Sequence, residues 1–392
     1  MSIESRFAPL LQQREQQHLY RRRPLSLSAQ QADMQINGVQ TINFSSNDYL
    51  GLANDASIQQ AVIHGLADKT VSYGSGAAHL VTGHHLQHHL LEDEIADWLG
   101  CERALLFSTG YMANLAVQQT LMQTGDTILS DKLNHASLVD GARNSGADFK
   151  RYPHLDIDAL ERRLNNVKDG QTLITTDGVF SMDGDIAPLA EIVQLAQNHQ
   201  AWLMVDDAHG YGMVGNQGKG CFDLLGVKPT RDTVQVGTLG KAFGTSGAFV
   251  AGSETLIESL IQFARPYIYT TAMSPVNALA SRAALKRVIE AEPERARLQQ
   301  HIQQFRQGAE ALGLQLWASQ TAIQPIILGS SETAMQWSDA LKQKGCWVTA
   351  IRPPTVPAGQ ARLRVTLSAN HTKEHIDLLL EALKQVQMEY SR

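Results

Sequence analysis

TVQVGTLGKAFGTSG, residues 233–247, begins as a short apolar run, Thr233 to Val236, and ends in a glycine-rich turn that carries one lysine, Lys241. An apolar, β-branched run that stops at glycine reads as a buried strand followed by a loop. About one strand-helix-strand unit upstream, WLMVDDAHGYG, residues 202–212, repeats the arrangement, with the run Trp202 to Val205 ending in Asp206-Asp207-Ala208-His209. Further runs lie at Ala104 to Phe107, Thr127 to Leu129, Leu173 to Thr175 and Ala248 to Ala251, separated by helical patterns. That alternation predicts an α/β fold, a mainly parallel sheet with helices on both faces.

The helices carry their own signals. Leu91, Ile95, Trp98 and Leu99 recur at helical spacing ahead of Gly100, a C-cap residue, and Pro188 opens a helix with Leu189, Ile192, Val193 and Ala196 on one side. Beyond residue 290 the pattern changes. Leu298, Ile302, Phe305, Ala309 and Leu312 mark a long amphipathic helix, followed by runs at Ile323 to Leu328, Cys346 to Ile351 and Arg362 to Leu367. This reads as a smaller α+β domain. Single cores stop growing at roughly 250–300 residues, and this chain has 392. The expected division is an N-terminal arm with a basic helix over 1–50, a large domain over 51–288 and a C-terminal domain over 289–392.

A net charge of -6 and the lack of any long single-sign run argue against nucleic acid as a partner. Cys101, Cys221 and Cys346 are scattered, with no Cys-x-x-Cys spacing, which indicates neither a disulfide framework nor a thiolate zinc site. No stretch reads as a leader or a membrane span, so the expected location is the cytoplasm.

Ligands of open α/β sheets bind beyond the carboxyl ends of the strands. Three runs end there in reactive groups: Asp177 with Ser181, Asp206 with His209, and Thr238 with Lys241. A fourth ends at Phe107-Ser-Thr-Gly110-Tyr111, where a glycine turn opens a helix whose free amides suit a phosphate. A lysine in such a turn can form a Schiff base with an aldehyde cofactor, and an acidic strand-end residue can keep that cofactor's ring nitrogen protonated. The pairing of Lys241 with Asp206 therefore points to pyridoxal phosphate. Asp206 and His209 would also suit a metal, which keeps a metal-dependent hydrolase open; no second cluster of ligands supports it, and no metal is expected.

The runs NFSSNDYLGL (43–52), LLFSTGYMAN (105–114), LNHASLVDGAR (133–143), DGVFSMDGDIAPL (177–189), VDDAHGYG (205–212), GTLGKAFGTSGAFVAG (237–252) and IRPPTVPAGQARLRVTLS (351–368) occur in this order. Together they resemble the α-oxoamine synthase family of fold-type-I pyridoxal phosphate enzymes, over nearly the whole chain. The resemblance implies that Lys241 is the Schiff-base lysine and proton carrier, that Asp206 pairs with the pyridinium nitrogen and that His209 bonds the phenolic oxygen. It implies further that His135 covers the ring and meets substrate, and that Gly110, Tyr111, Ser181 and Thr238 hold the phosphate end. Thr270 and Thr271 would serve the neighbouring subunit of a homodimer. Arg364 would clamp the amino-acid carboxylate, with Arg21, Asn47 and Thr355 also on substrate. NFSSNDYLGL, Arg21 to Arg23 and IRPPTVPAG narrow the implied reaction to a decarboxylative condensation of L-alanine with a pimeloyl thioester, carried by coenzyme A or acyl carrier protein. A glycine-using relative is the alternative.

Two places depart from the family pattern. Asp177 stands where glutamate is usual, which puts a direct contact by its side chain in doubt, and Ala77-Ala78-His79 replaces a glycine-serine stretch. His84, His85, His88 and His89 read as a partly exposed helical face rather than a metal site.

Overall fold

The computed structural model describes residues 1–390, and the chain divides into two compact units. The larger comprises Leu52–Ser181 and Ile186–Arg295. Its sheet has seven strands, in the order 103–107, 248–252, 233–238, 202–206, 172–177, 127–131 and 148–152. The strand Ala248–Gly252 runs antiparallel to both neighbours, and the other pairings are parallel. The fold is α/β, as the alternation predicts.

The central strands form because both of their faces are covered. Thr127–Asp131, Thr172–Asp177 and Ala248–Gly252 are buried at every position, which is why they read as continuous rather than alternating runs. Ala113, Ala116 and Val117 from the helix Gly110–Leu121 pack with Ile128, Leu173, Met204 and Val236. Fully burying a side chain of the valine or isoleucine kind stabilises by about 1.5–3 kcal/mol, so this layer fixes the helix on the sheet. Gly100 ends the helix Leu86–Leu99 in the left-handed conformation, at φ 71°.

The second unit comprises Met1–Gly51, Met182–Asp185 and the residues from Ala296 on. The residues read as an arm contribute a helix, Ile3–Gln16, and the strands Asp33–Ile36 and Val39–Asn43; Cys346–Trp347 pairs in parallel with the second of these. Ile323–Gly329, Ala361–Thr366 and Thr349–Ile351 form an antiparallel sheet. The run Cys346 to Ile351, read as one strand, is thus split between two sheets.

The turn after Lys241 requires glycine at one position. Gly244 has φ +67°, and a Cβ there would stand 2.3 Å from Ala53 N and 2.4 Å from Leu52 C, both backbone atoms. Gly244→Ala is expected to lower stability by about 1–2 kcal/mol from the left-handed conformation alone, with the steric overlap adding to it. Thermal unfolding checks this, and an unchanged midpoint would show that the turn relaxes freely.

Candidate active site

Parallel pairing in register places Asp177 directly beside Asp206 at the carboxyl ends of adjacent strands. One cavity of about 180 Å³ lies over these ends. Its lining includes Gly110, Tyr111, His135, Asp177, Ser181, Asp206, His209, Thr238 and Lys241, so nine residues singled out in the sequence meet in one place within the larger unit.

The donor set there is asymmetric. Asp206 is buried, and its Oδ2 accepts from Asn114 Nδ2 at 2.5 Å while Oδ1 accepts from Ala208 N at 3.1 Å. Asp177 is also buried, and its Oδ2 accepts from His135 N at 3.0 Å. Burial, reinforced by the neighbouring Asp206, pushes the Asp177 carboxyl well above the ordinary carboxylate range, with Lys241 opposing. The shortened side chain that put contact in doubt therefore does line the cavity, where it anchors the backbone of His135.

His135 is the N-cap of the helix Ala136–Asn144, with its Nδ1 accepting from Ser137 N at 3.3 Å and lying 2.7 Å from Ser137 Oγ. An accepting Nδ1 leaves the proton of the neutral ring on Nε2. Partial removal from water lowers the pKa of the ring, an effect that Asp206 opposes and Lys241 supports. At neutral pH His135 is thus a neutral donor through Nε2.

Lys241 is half-buried on its glycine turn, which is closed by Gly244 N donating to Lys241 O at 2.9 Å. The positive charge of Lys241 reaches His135, Asp177 and Asp207, holding each pKa below where burial and neighbouring acids would set it for the two aspartates. Thr238 lines the cavity, yet its hydroxyl donates to Gly247 O at 3.0 Å and accepts from Gly240 N. Tyr111, partly exposed, donates its hydroxyl to Asp140. Gly110 begins a twelve-residue helix capped by Thr109, so its first amides face outward with the positive end of the helix dipole.

Asp207 does different work from its neighbour. It is buried, accepts from Cys221 N at 2.6 Å and is raised to about 6 by burial. A Cβ on Gly178, Gly210 or Gly220 would lie within 2.3 Å of its carboxylate, so three glycines make room for it. It is a structural support beneath the site.

The donor set fits pyridoxal phosphate, the cofactor expected from the sequence. Asp206 would hold the ring nitrogen, the amino end of the helix Gly110–Leu121 and Ser181 the phosphate, and Lys241 the aldehyde carbon. Thr270 and Thr271 line no part of this cavity; Thr271 bridges to Ala78.

Other expected residues lie in the second unit. Arg364 donates to Asn47 Oδ1 at 3.2 Å from both terminal nitrogens and to Thr366 Oγ1 at 3.0 Å, so two residues matched to the family stand together. Arg21 and Thr355 share a separate cavity of about 300 Å³ with Arg14, Arg22 and Arg352. Burial lowers the pKa of Arg352, and the charge of Arg21 lowers it further.

The histidine group differs from the expected helical face. His85 is the N-cap of Leu86–Leu99 and His88 is fully buried, with Nδ1 accepting from His85 N at 2.9 Å and Nε2 against Met273 O at 2.7 Å. His79 and His84 pair through Nδ1 at 3.0 Å. Ligating atoms of His79, His84 and His88 lie within 4.8 Å of one another. Both nitrogens of His88 are already engaged, however, so it has no spare lone pair for a metal.

The family model described as aminotransferase class I and II matches residues 39–383. A curated relative from Hydrogenovibrio crunogenus, named 8-amino-7-oxononanoate synthase, is 66% identical over 391 residues, 99% of this chain and 98% of that one. The chain belongs to the 8-amino-7-oxononanoate synthase family. A solved 8-amino-7-oxononanoate synthase from Francisella tularensis superposes with a TM-score of 0.77, at 35% identity over 89% of this chain and 99% of that chain. Serine palmitoyltransferase from S. paucimobilis, solved with PLP and myriocin, gives a TM-score of 0.93 at 28% identity over 99% of both chains. Backbone similarity of that order shows the shared fold, while the higher identity over full length places the chain in the 8-amino-7-oxononanoate synthase family.

Sequence reasoning passed over Asn114, Asn134 and Ser137. Asn114 carried a usable signal: it lies four residues after Gly110, on the same side of the helix as the phosphate seat, in an otherwise apolar stretch. Asn134 ties two strands together, its Nδ2 donating to Ser130 Oγ and Thr175 O, each at 2.8 Å, and its Oδ1 accepting from Asp177 N at 3.0 Å.

Proposed function

We propose that this chain condenses L-alanine with a pimeloyl thioester, releasing CO2 and the free thiol carrier and giving 8-amino-7-oxononanoate, a step of biotin biosynthesis. The observation that carries this reading is the 66% identity with an 8-amino-7-oxononanoate synthase over nearly the full length of both chains, joined to a cavity lined by both Lys241 and Asp206. Pyridoxal phosphate, when bound, supplies a carbonyl that takes up the amino group and a ring that stores the electron pair released at Cα.

The residues divide the remaining work. Lys241 takes the proton from the alanine Cα and returns one after CO2 departs. Asp206, held as an acceptor by Asn114 and Ala208, keeps a proton on the ring nitrogen. In this reading the Nε2 hydrogen of His135 bonds the oxygen where negative charge develops at the thioester carbonyl. The new bond joins Cα to that carbonyl carbon as the carbon-sulfur bond breaks, the leaving thiolate takes a proton from water, and the bond from Cα to the carboxylate then breaks to release CO2. Arg364, Asn47, Arg21 and Thr355 are given to substrate in this reading on their match to family motifs, and Thr270 and Thr271 to the second copy of a homodimer. Among the described residues no helix is long and apolar enough to cross a membrane; the reading places the enzyme in the cytoplasm.

A paired assay tests this. Thiol release is measured with L-alanine plus pimeloyl-CoA and with glycine plus acetyl-CoA, and the product is weighed by mass spectrometry. Preference for the first pair is the expected result. Preference for the second would move the chain to a glycine-using relative, and turnover of neither would refute the condensation.

A further inference from the structure

Asn114 is 1% exposed and lines the cavity from the helix Gly110–Leu121. Both hydrogens of its amide are committed, one to Asp206 Oδ2 at 2.5 Å and one to Ser137 Oγ at 2.8 Å. Ser137 Oγ lies 2.7 Å from His135 Nδ1, and Ser137 N donates to the same nitrogen. Nδ1 is therefore an acceptor and the serine hydroxyl hydrogen points to it, so the donors run in one direction, from Asn114 through Ser137 to His135.

The orientation of the amide is not free. Turned over, it would set Oδ1 against the Asp206 carboxylate, oxygen against oxygen. As placed, Oδ1 is buried without a hydrogen-bond partner among the described residues. An unsatisfied buried acceptor is costly, and a hydrogen bond to a charged group is among the stronger ones, so the fold gives up one bond at Oδ1 to keep the donor on Asp206.

We propose that Asn114 is a positioning residue that fixes the direction of the Asp206 carboxylate and, through Ser137, holds His135 in the tautomer with its proton on Nε2. One side chain thereby sets the proton placement on two residues that act on the cofactor and the substrate. The proposal rests on the functional reading above, because it takes Asp206 and His135 as the groups that act. Ser137 is the link of the relay: its Oγ accepts from Asn114 and its hydroxyl hydrogen is given to His135, with no bond to Asp206 of its own.

Asn114→Asp keeps the shape of the side chain and replaces the donor nitrogen by oxygen; Asn114→Ser shortens it, as a second variant should the first not fold. The probe is pyridoxal phosphate, with its dissociation constant read by equilibrium dialysis and the pH midpoint of its visible band read by absorbance, alongside circular dichroism. Losing a charge-assisted bond is expected to weaken cofactor binding on the order of tenfold in Asn114→Asp and to displace the midpoint, with the fold intact. Ser137→Ala is expected to hold the cofactor within about twofold of the parent, because the bond from Asn114 to Asp206 remains, while kcat falls about tenfold and its pH profile shifts, because Nδ1 of His135 loses the hydroxyl donor at 2.7 Å and keeps only the longer backbone bond at 3.3 Å. Folded Asn114 variants with parental affinity and parental midpoint would overturn the Asp206 branch, and a Ser137→Ala enzyme with the parental pH profile would overturn the His135 branch. A parent chain that binds no pyridoxal phosphate would instead overturn the reading of the site itself.

Discussion

Lys241→Ala is expected to lose turnover by at least 10² to 10⁴-fold, roughly the span that positioned proton transfer contributes by itself. The same amine is asked to hold the cofactor and to carry the Cα proton, so the true loss should exceed that range. Cofactor binding is a different matter. Asp206, the helix beginning at Gly110 and the hydroxyl of Ser181 remain in place in the variant, and their contacts do not depend on the amine. The variant should therefore bind pyridoxal phosphate while turning over almost nothing. Borohydride treatment of the parent enzyme should fix the cofactor on the peptide that carries Lys241. Label on any other lysine, or near-parental activity in Lys241→Ala, would refute the role.

The largest expected effect on stability comes from Asp183. Its carboxylate accepts from Arg362 Nη1 at 2.6 Å, and the two side chains are 5% and 1% exposed. Arg362 has secondary support from Gln360 O at 3.1 Å and from the Trp317 ring at 5.4 Å, neither of which neutralises its charge. Removing one member of such a pair leaves a buried charge uncompensated, at a cost of about 3–5 kcal/mol. Asp183→Ala should lose that much in denaturant unfolding. The double variant Asp183→Ala with Arg362→Met should recover most of it, because the uncompensated charge goes with the arginine. If the single variant unfolds at the parental midpoint, the pair is not what holds this part of the chain.

That pair also shows where sequence reading runs out. Arg362 and Arg364 are two apart on one strand and so share a face, and nothing local says which meets a carboxylate and which meets Asn47 and Thr366. The partner of Arg362 lies 179 residues away. The interior strands were legible because burial on both sides writes itself as unbroken apolar runs. Asp148–Tyr152 was not, being an edge strand with sequence DFKRY whose exposed positions carry charge. The strand-end groups Asp206, His209 and Lys241 were legible because parallel sheets gather ligands at their carboxyl ends. Asn114 was not, because its function depends on what Asp206 and Ser137 present to it, and neither adjoins it in sequence. The histidines 84 to 89 were misread for the opposite reason: their spacing suggests a face, whereas capping decides the roles of His85 and His88.

The smaller unit borrows Met182–Asp185 from the middle of the chain and Val39–Asn43 from near its start, yet its sheets close only with Cys346–Trp347 and Ala361–Thr366. During synthesis Asp183 leaves the ribosome long before Arg362 exists, so its carboxylate must wait in water until almost the last residue is made. A gene cut at the 295/296 border would strand one partner of that ion pair on each fragment, so the pair should form only in the single polypeptide or in a mixture of the two fragments.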